Sequence, residues 1–225
     1  MLGKLKPTGL VISVVCIIAA TVILCVSAIS CAGQKLVFDA EYYFVCYRLT
    51  DNAVSASSLS DTVASYGGAG YILNYDNRYY VTVSCYYTEG DAQSVCDSLK
   101  KRELDCIVLN AQTPDYRLKS RYARSNAQLY LGNLNTLNSL SVLAYDCANA
   151  LDTGKYDQSK AKSVVTSIEN GLNGLLKTNP SNCFTEVLIN LLAECEDKES
   201  GYLHSKDMRY LQIAITDCII SVQLF

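Results

Sequence analysis

The chain has 225 residues, half of them apolar or aromatic and 18% charged, with a formal net charge of −3 at pH 7. That is enough apolar material for one or two packed domains and excludes global disorder, while the acidic balance argues against a nucleic-acid binder, which would show a basic face. One His and no Trp leave a catalytic triad or a His-rich metal site almost nothing to work with, whereas 17 Tyr stand against four Phe.

The first segment is apolar. From Leu10 to Ala32 the sequence reads LVISVVCIIAATVILCVSAISCA, 23 residues with no charge between Lys6 and Lys35. An α-helix needs about 20 residues to cross a hydrocarbon core, so residues 1–34 are expected to form a cytoplasmic stub and a transmembrane anchor. Lys4 and Lys6 precede the run and no acid does, which keeps the N-terminus inside and places the rest outside the cytoplasm, as a single-pass protein of the cell membrane. Two alternatives stand beside this. A cleaved signal peptide would have a shorter apolar region, of about 7–15 residues. A lipoprotein would use Cys31 in Ser27-Ala28-Ile29-Ser30-Cys31, with Ala28 where a lipobox has Leu. Setting aside residues 1–34 removes Lys4 and Lys6 from the 19 basic residues and none of the 22 acidic ones, leaving a net charge of −5. Bulk charge therefore does not draw this part to anionic lipid or polyanions.

Residues 35–114 alternate strand and helix patterns. AEYYFVCYRL reads as a strand over 41–49, rich in β-branched and aromatic residues. SASSLSDTVASY carries Leu59 and Val63 at helical spacing and stops at Gly67-Gly68. AGYILNY is a second strand, joined by Asp76-Asn77, a pair suited to a tight hairpin, to the third strand RYYVTVSCYY. Glu89-Gly90-Asp91 opens a helix through Ala92, Val95, Cys96 and Leu99, and DCIVLNA is the fourth strand. The order is βαββαβ.

A repeat of 37 residues runs through this region: Tyr42-Tyr43-Phe44 returns as Tyr79-Tyr80-Val81, Leu59 as Cys96, and Tyr71-Ile72 as Val108-Leu109. Two βαβ halves side by side make a ferredoxin-like unit, with one antiparallel sheet, two helices on one face and the other face open. Residues 41–112 resemble the SPOR domain, the bacterial sporulation-related repeat. Tyr80-Val81-Thr82-Val83-Ser84-Cys85-Tyr86 followed by Thr88-Glu89-Gly90-Asp91-Ala92 is similar to the strand and acidic helix start of that family's second half. Phe44-Val45-Cys46-Tyr47 departs from the first half, where the family has Val-Gln-Val-Gly. The resemblance covers about a third of the chain. It implies binding to peptidoglycan glycan strands stripped of their stem peptides, without cofactor or metal, in division or sporulation.

Alternation sets the expected faces. With Phe44, Cys46, Leu59, Val63, Ile72, Val81, Val83, Leu99, Ile107 and Leu109 as a closed core, Tyr43, Val45 and Tyr47 from one strand and Tyr80, Thr82 and Ser84 from another share the open face as the glycan-binding residues. Tyrosine rings cover the apolar faces of a pyranose while their hydroxyls bond its edge. Two plainer readings remain: Tyr fills strand positions because it favours sheets, or the C-terminal region covers the face.

After the break at Asn110 to Pro114 no strand pattern appears, and residues 115–225 read as a four-helix antiparallel bundle. Its stripes are Leu129, Leu134, Leu137, Leu140, Ala144, Cys147 and Leu151 over 116–152; Val164, Val165, Ile168, Leu172, Leu175 and Leu176, with Gly171 and Gly174 weakening that helix; Phe184, Val187, Leu188, Leu191 and Cys195 after Asn179-Pro180-Ser181; and Met208, Leu211, Ile215, Cys218, Ile219 and Val222 over 205–223. This bundle offers a surface for a protein partner. Arg117, Lys119, Arg121 and Arg124 crowd its start, as a solvated face or as a contact for polymer or lipid. Glu186, Glu194, Glu196 and Glu199 fit a solvated helix face, and His204 a cap, so no enzyme is expected.

Eight cysteines follow residue 34: Cys46, Cys85, Cys96, Cys106, Cys147, Cys183, Cys195 and Cys218. No C-x-x-C occurs, which removes the zinc spacing signature. Each lies in an apolar stretch and reads as a buried free thiol, with one or two bridges left open. The chain is thus expected to be an α+β, non-catalytic peptidoglycan-binding protein. The alternative is a scaffold whose ferredoxin-like unit and bundle bind protein partners.

Overall fold

A computed structural model describes residues 34–50, 52–114, 116–118, 125–178 and 182–221. The expected anchor over residues 10–32 lies outside them, as does Cys31. Among the described residues no helix is long and apolar enough to cross a membrane. The expectation of a single-pass membrane protein, and of a fold class that includes a membrane-spanning helix, is corrected accordingly. The helices that are described carry apolar stripes interrupted by polar residues, the pattern of helices packed within a protein.

The observed fold is α+β. β1 (Gln34–Leu36) leads to β2 (Glu41–Thr50), α1 (Ala53–Ser65), β3 (Tyr71–Tyr75), β4 (Arg78–Tyr86), α2 (Glu89–Lys100), β5 (Ile107–Gln112) and β6 (Tyr116–Leu118). Among the described residues four helices follow: α3 (Ala127–Asp152), α4 (Gln158–Thr178), α5 (Asn182–Glu199) and α6 (Ser205–Ser221). The expected βαββαβ order runs from β2 to β5 and forms one antiparallel sheet in the order β3-β4-β2-β5. β1 and β6 pair antiparallel as a separate ribbon, through Lys35 opposite Arg117, in a stretch where no strand was expected.

Local chemistry explains the element boundaries. Asn52 caps α1, its Oδ1 accepting from the Val54 N–H at 2.8 Å, and Thr88 caps α2 by accepting from the Asp91 N–H at 3.3 Å. Asp76 and Asn77 take φ of 53° and 59°, the left-handed pair that a two-residue hairpin demands between Tyr75 and Arg78. Gly171, which lowers the helix propensity of α4, stands where an added Cβ would lie 2.8 Å from Leu140 Cδ2. Its missing side chain lets α3 approach.

β2 is buried on both faces. Val45 packs with Ala92, Cys96 and Cys106 beneath α2, with Tyr43 and Val108 at the edge of that cluster. Ala56, Val63 and Val81 pack beneath α1, joined by Tyr47, Leu59, Ile72 and Val83. Tyr42, Phe44 and Cys46, with Leu73, Tyr80 and Cys85 from neighbouring strands, belong instead to the large core shared with the bundle. The expected core therefore divides: Phe44, Cys46 and Leu109 lie on the bundle side, and Ile107 is 40% exposed.

The bundle closes the sheet's second face. α6 packs against β3, β4 and α3, and α4 packs against α3 and α5. Met208, Leu211, Gln212, Ile213, Ala214, Ile215, Thr216, Cys218 and Ile219 of α6 are all buried, nearly all round the helix, as suits an element held between layers.

Candidate functional site

The six expected glycan-binding residues do not share a face. Tyr43, Val45 and Tyr47 sit on the α1–α2 side of the sheet. Tyr80 is 7% exposed on the opposite side, under the bundle. Thr82 is buried and its hydroxyl donates to the Tyr71 carbonyl at 2.9 Å, while Ser84 is buried opposite Val45. Two register shifts produce this division. Between Val45↔Ser84 and Cys46↔Thr82 the strand β4 carries an extra residue, Val83; between Cys46↔Thr82 and Arg48↔Val81 the strand β2 carries Tyr47. A bulge puts consecutive residues on one side and reverses the alternation beyond it. Tyr43 thus pairs with Tyr86, not with Tyr80.

Tyrosine is abundant here because the sheet–bundle interface is built from it. The Tyr42 hydroxyl donates to Asn138 Oδ1 at 3.0 Å, Tyr87 shares a 2.9 Å bond with Ser141, and Tyr71 donates to Asp217 Oδ2 at 2.7 Å. Tyr116 donates to the Ile219 carbonyl at 2.5 Å. Edge-to-face contacts join Tyr42 to Tyr87 at 6.1 Å, Tyr87 to Tyr145 at 5.5 Å and Tyr71 to Tyr210 at 5.2 Å. Each ring buries apolar area while its hydroxyl finds a partner across the interface, where Phe would leave Asn138, Ser141 or Asp217 short of one. Burial pushes the Tyr42, Tyr87 and Tyr71 hydroxyls well above the usual phenol range. They remain neutral hydroxyls.

A concave surface of the βαββαβ unit lies between α1 and α2. This groove has a volume of about 270 Å³ and is lined by Tyr47, Thr62, Val63, Tyr66, Gly68, Val83, Leu99, Arg102 and Leu104. Its floor contains both bulge residues, Tyr47 and Val83, which are only half-buried. One wall is Tyr66, the C-cap of α1, with 81% of its surface exposed. The other is the turn after α2, where the Leu104 N–H returns to the Leu99 carbonyl at 3.1 Å and Glu103 takes φ of 63°. That turn sets Arg102, exposed to solvent, at the rim of the groove. Gly68 closes the α1 side: a Cβ there would stand 2.5 Å from Val63 Cγ1. Two phenol rings, an apolar floor and one guanidinium suit a sugar bearing a carboxylate. Of the six expected residues only Tyr47 belongs to this groove. Tyr66 and Arg102 lie in turns, where alternation carries no information.

A larger cleft of about 620 Å³ opens at one end of the bundle, between Tyr156, Asp157, Gln158, Tyr202 and His204. The Gln158 amide ties its two sides together, donating to the Leu203 carbonyl at 2.7 Å and accepting from the Leu203 N–H at 2.8 Å. The His204 N–H donates to Asp207 Oδ2 at 2.8 Å, so His204 occupies the cap of α6. Glu194 accepts from Tyr210 at 3.5 Å and Glu199 from Thr166 at 3.0 Å, while Glu186 and Glu196 are exposed. Among the described residues no group of three or more His, Cys, Asp or Glu could hold a metal. Of the basic cluster, Arg117 lies in β6, and Lys119, Arg121 and Arg124 lie outside the described residues.

No model of a known protein family matches the chain, and no curated protein matches it. Among solved structures it is similar to the solution structure of the peptidoglycan binding domain of the B. subtilis cell wall lytic enzyme CwlC. The identity is 21%, over 34% of this chain and 98% of that one, with a TM-score of 0.28.

Proposed function

We propose that the βαββαβ unit binds peptidoglycan glycan strands, as a non-catalytic module, through the groove between α1 and α2. The observation that carries this reading is the groove itself. Once the bundle has covered the other face of the sheet, it is where Tyr47 and Tyr66 present rings beside Arg102. The sequence resemblance over Tyr80–Tyr86 and Thr88–Ala92 supports the same ligand class. We further propose a preference for strands without stem peptides, the form exposed in division or sporulation. Removing the peptide leaves a free lactyl carboxylate on each muramic acid, and a guanidinium pairs with a carboxylate in bidentate fashion.

Co-sedimentation of the full chain with sacculi, before and after amidase treatment, tests both steps. The native chain is expected to bind amidase-treated sacculi more tightly. Tyr66→Ala removes one exposed ring and should weaken binding roughly two- to tenfold, from about 0.5–1.5 kcal/mol per aromatic contact. Arg102→Gln should abolish the preference for treated over untreated material. Unchanged binding in both variants would place the site elsewhere. One observation favours a scaffold: the sheet face already binds a helical element, the chain's own bundle. No binding to either form of sacculus would decide for that alternative.

A further inference from the structure

Cys96 lies in the second half of α2 and Cys106 directly precedes β5. Their sulfurs are 3.1 Å apart, about 1 Å beyond the ~2.05 Å of a disulfide. Each thiol also points at the other residue's backbone, with Cys96 Sγ 3.3 Å from the Cys106 carbonyl and Cys106 Sγ 3.1 Å from the Cys96 carbonyl. Both residues are buried in one small cluster with Val45 and Ala92. The other free thiols of the described residues behave differently. Cys46 and Cys85 turn to the Phe44 and Tyr86 carbonyls, and no other thiol is hydrogen-bonded to a second one.

We propose that Cys96 and Cys106 form an intramolecular disulfide that staples the end of α2 to the start of β5. The oxidant is a small disulfide such as oxidised glutathione. One cysteine thiolate attacks it, forming a mixed disulfide and releasing one glutathione thiol. The second cysteine thiolate then displaces the second glutathione, so two protein thiols lose two electrons and two protons while one disulfide becomes two thiols. Burial, with Cys96 beside it, pushes the Cys106 thiol above its usual range, which makes exchange slow in the folded chain and places bond formation during folding. The closed loop spans Asp97 to Asp105 and contains the turn that carries Arg102 and Leu104 into the groove. Stapling that turn restricts where the guanidinium stands, a consequence for binding that rests on the proposed function.

The test is one unfolding–refolding cycle of the full chain in a buffer of oxidised and reduced glutathione, with dithiothreitol as the control. Free thiols are then alkylated under denaturing conditions and the chain is digested with trypsin. Cleavage at Lys100, Lys101 and Arg102 separates the two cysteines, so the expected product is a pair of peptides joined only through sulfur, 2 Da lighter than the sum of the two peptides with Cys96 and Cys106 as thiols and Cys85, which shares the Cys96 peptide, alkylated; fragmentation of that peptide assigns the bond to Cys96. The oxidised chain should melt ~5–10 °C above the reduced one, from the loop length and the size of the chain. That difference should vanish in Cys96→Ser. In Cys106→Ser, Cys96 has no resolving partner and should retain glutathione. Both thiols alkylated after the cycle, or Cys96 linked to any cysteine other than Cys106, would overturn the proposal. Sacculus binding by the oxidised and reduced forms is a separate readout: it bears on the groove and leaves the assignment of the bond untouched.

Discussion

Asp217 shows how one residue carries the cost of an interface. It is half-buried on α6 and accepts from the Tyr71 hydroxyl at 2.7 Å, yet desolvation outweighs that bond and raises its carboxyl above the ordinary value of 3.8. The folded chain therefore holds this proton more tightly than the unfolded chain. Below both values the group costs nothing; as pH rises from 3.8 through the raised folded value, the ionised form appears and stability falls. Asn at this position still accepts from Tyr71 and never ionises. Asp217→Asn is expected to flatten the stability profile across that window and to leave the protein at least as stable at pH 7, as measured by urea unfolding over a pH series. Tyr71→Phe should do the opposite, removing the donor from a half-buried carboxylate at a cost of about 1.5–3 kcal/mol. A steeper acid-to-neutral decline in Asp217→Asn would contradict this account.

At the scale of elements, the bulges at Val83 and Tyr47 decide what each strand contributes. They put Tyr43 and Tyr80 on opposite faces, with Tyr43 half-buried at the edge of α2 and bonded to Glu41 Oε2 at 2.6 Å. Tyr80 is enclosed by the bundle. Tyr80→Ala is expected to cost about 3–5 kcal/mol, as other large aromatic truncations in cores do, and Tyr43→Ala much less, since its hydroxyl bond is exposed. Thermal or chemical unfolding of the two single variants reads the difference directly. Equal costs would mean that the two rings share an environment and that the bulges are misplaced. The same bulges open the groove, because they set Tyr47 and Val83 at its floor between the two helices.

For the whole molecule, the sheet lies between two helical layers, α1 and α2 on one face and the bundle on the other. Removing residues 115–225 would expose Tyr42, Phe44, Cys46, Leu73, Tyr80 and Cys85 together, a contiguous apolar face of the kind that drives association. It would also leave the Tyr42, Tyr71 and Tyr87 hydroxyls without Asn138, Asp217 and Ser141. The fragment 36–114 is therefore expected to aggregate or to lose cooperative unfolding, judged by gel filtration and near-ultraviolet circular dichroism. A monomeric fragment with a native-like aromatic spectrum would show that the bundle is an accessory layer. The Lys206 ammonium, which donates to the Ala64 carbonyl at 3.1 Å, also ties α6 to α1. The bundle thus holds the unit at more than its sheet.

The sequence by itself determined what depends on neighbours along the chain. The βαββαβ order, the Asp76-Asn77 hairpin and the apolar stripes of the four C-terminal helices follow from turn chemistry, caps and periodicity, all local properties. Only the tertiary structure decided the faces. YYFVCY in β2 is apolar at both odd and even positions, so its alternation has no sign, and a strand covered on both sides reads as an unbroken apolar run. That unbroken run was the available signal that the second face was covered. The bulges lay beyond any local reading, because an extra residue shows only against the strand opposite. The groove was out of reach for the same reason: Tyr47, Tyr66 and Arg102 come from a strand and two turns that packing alone brings together.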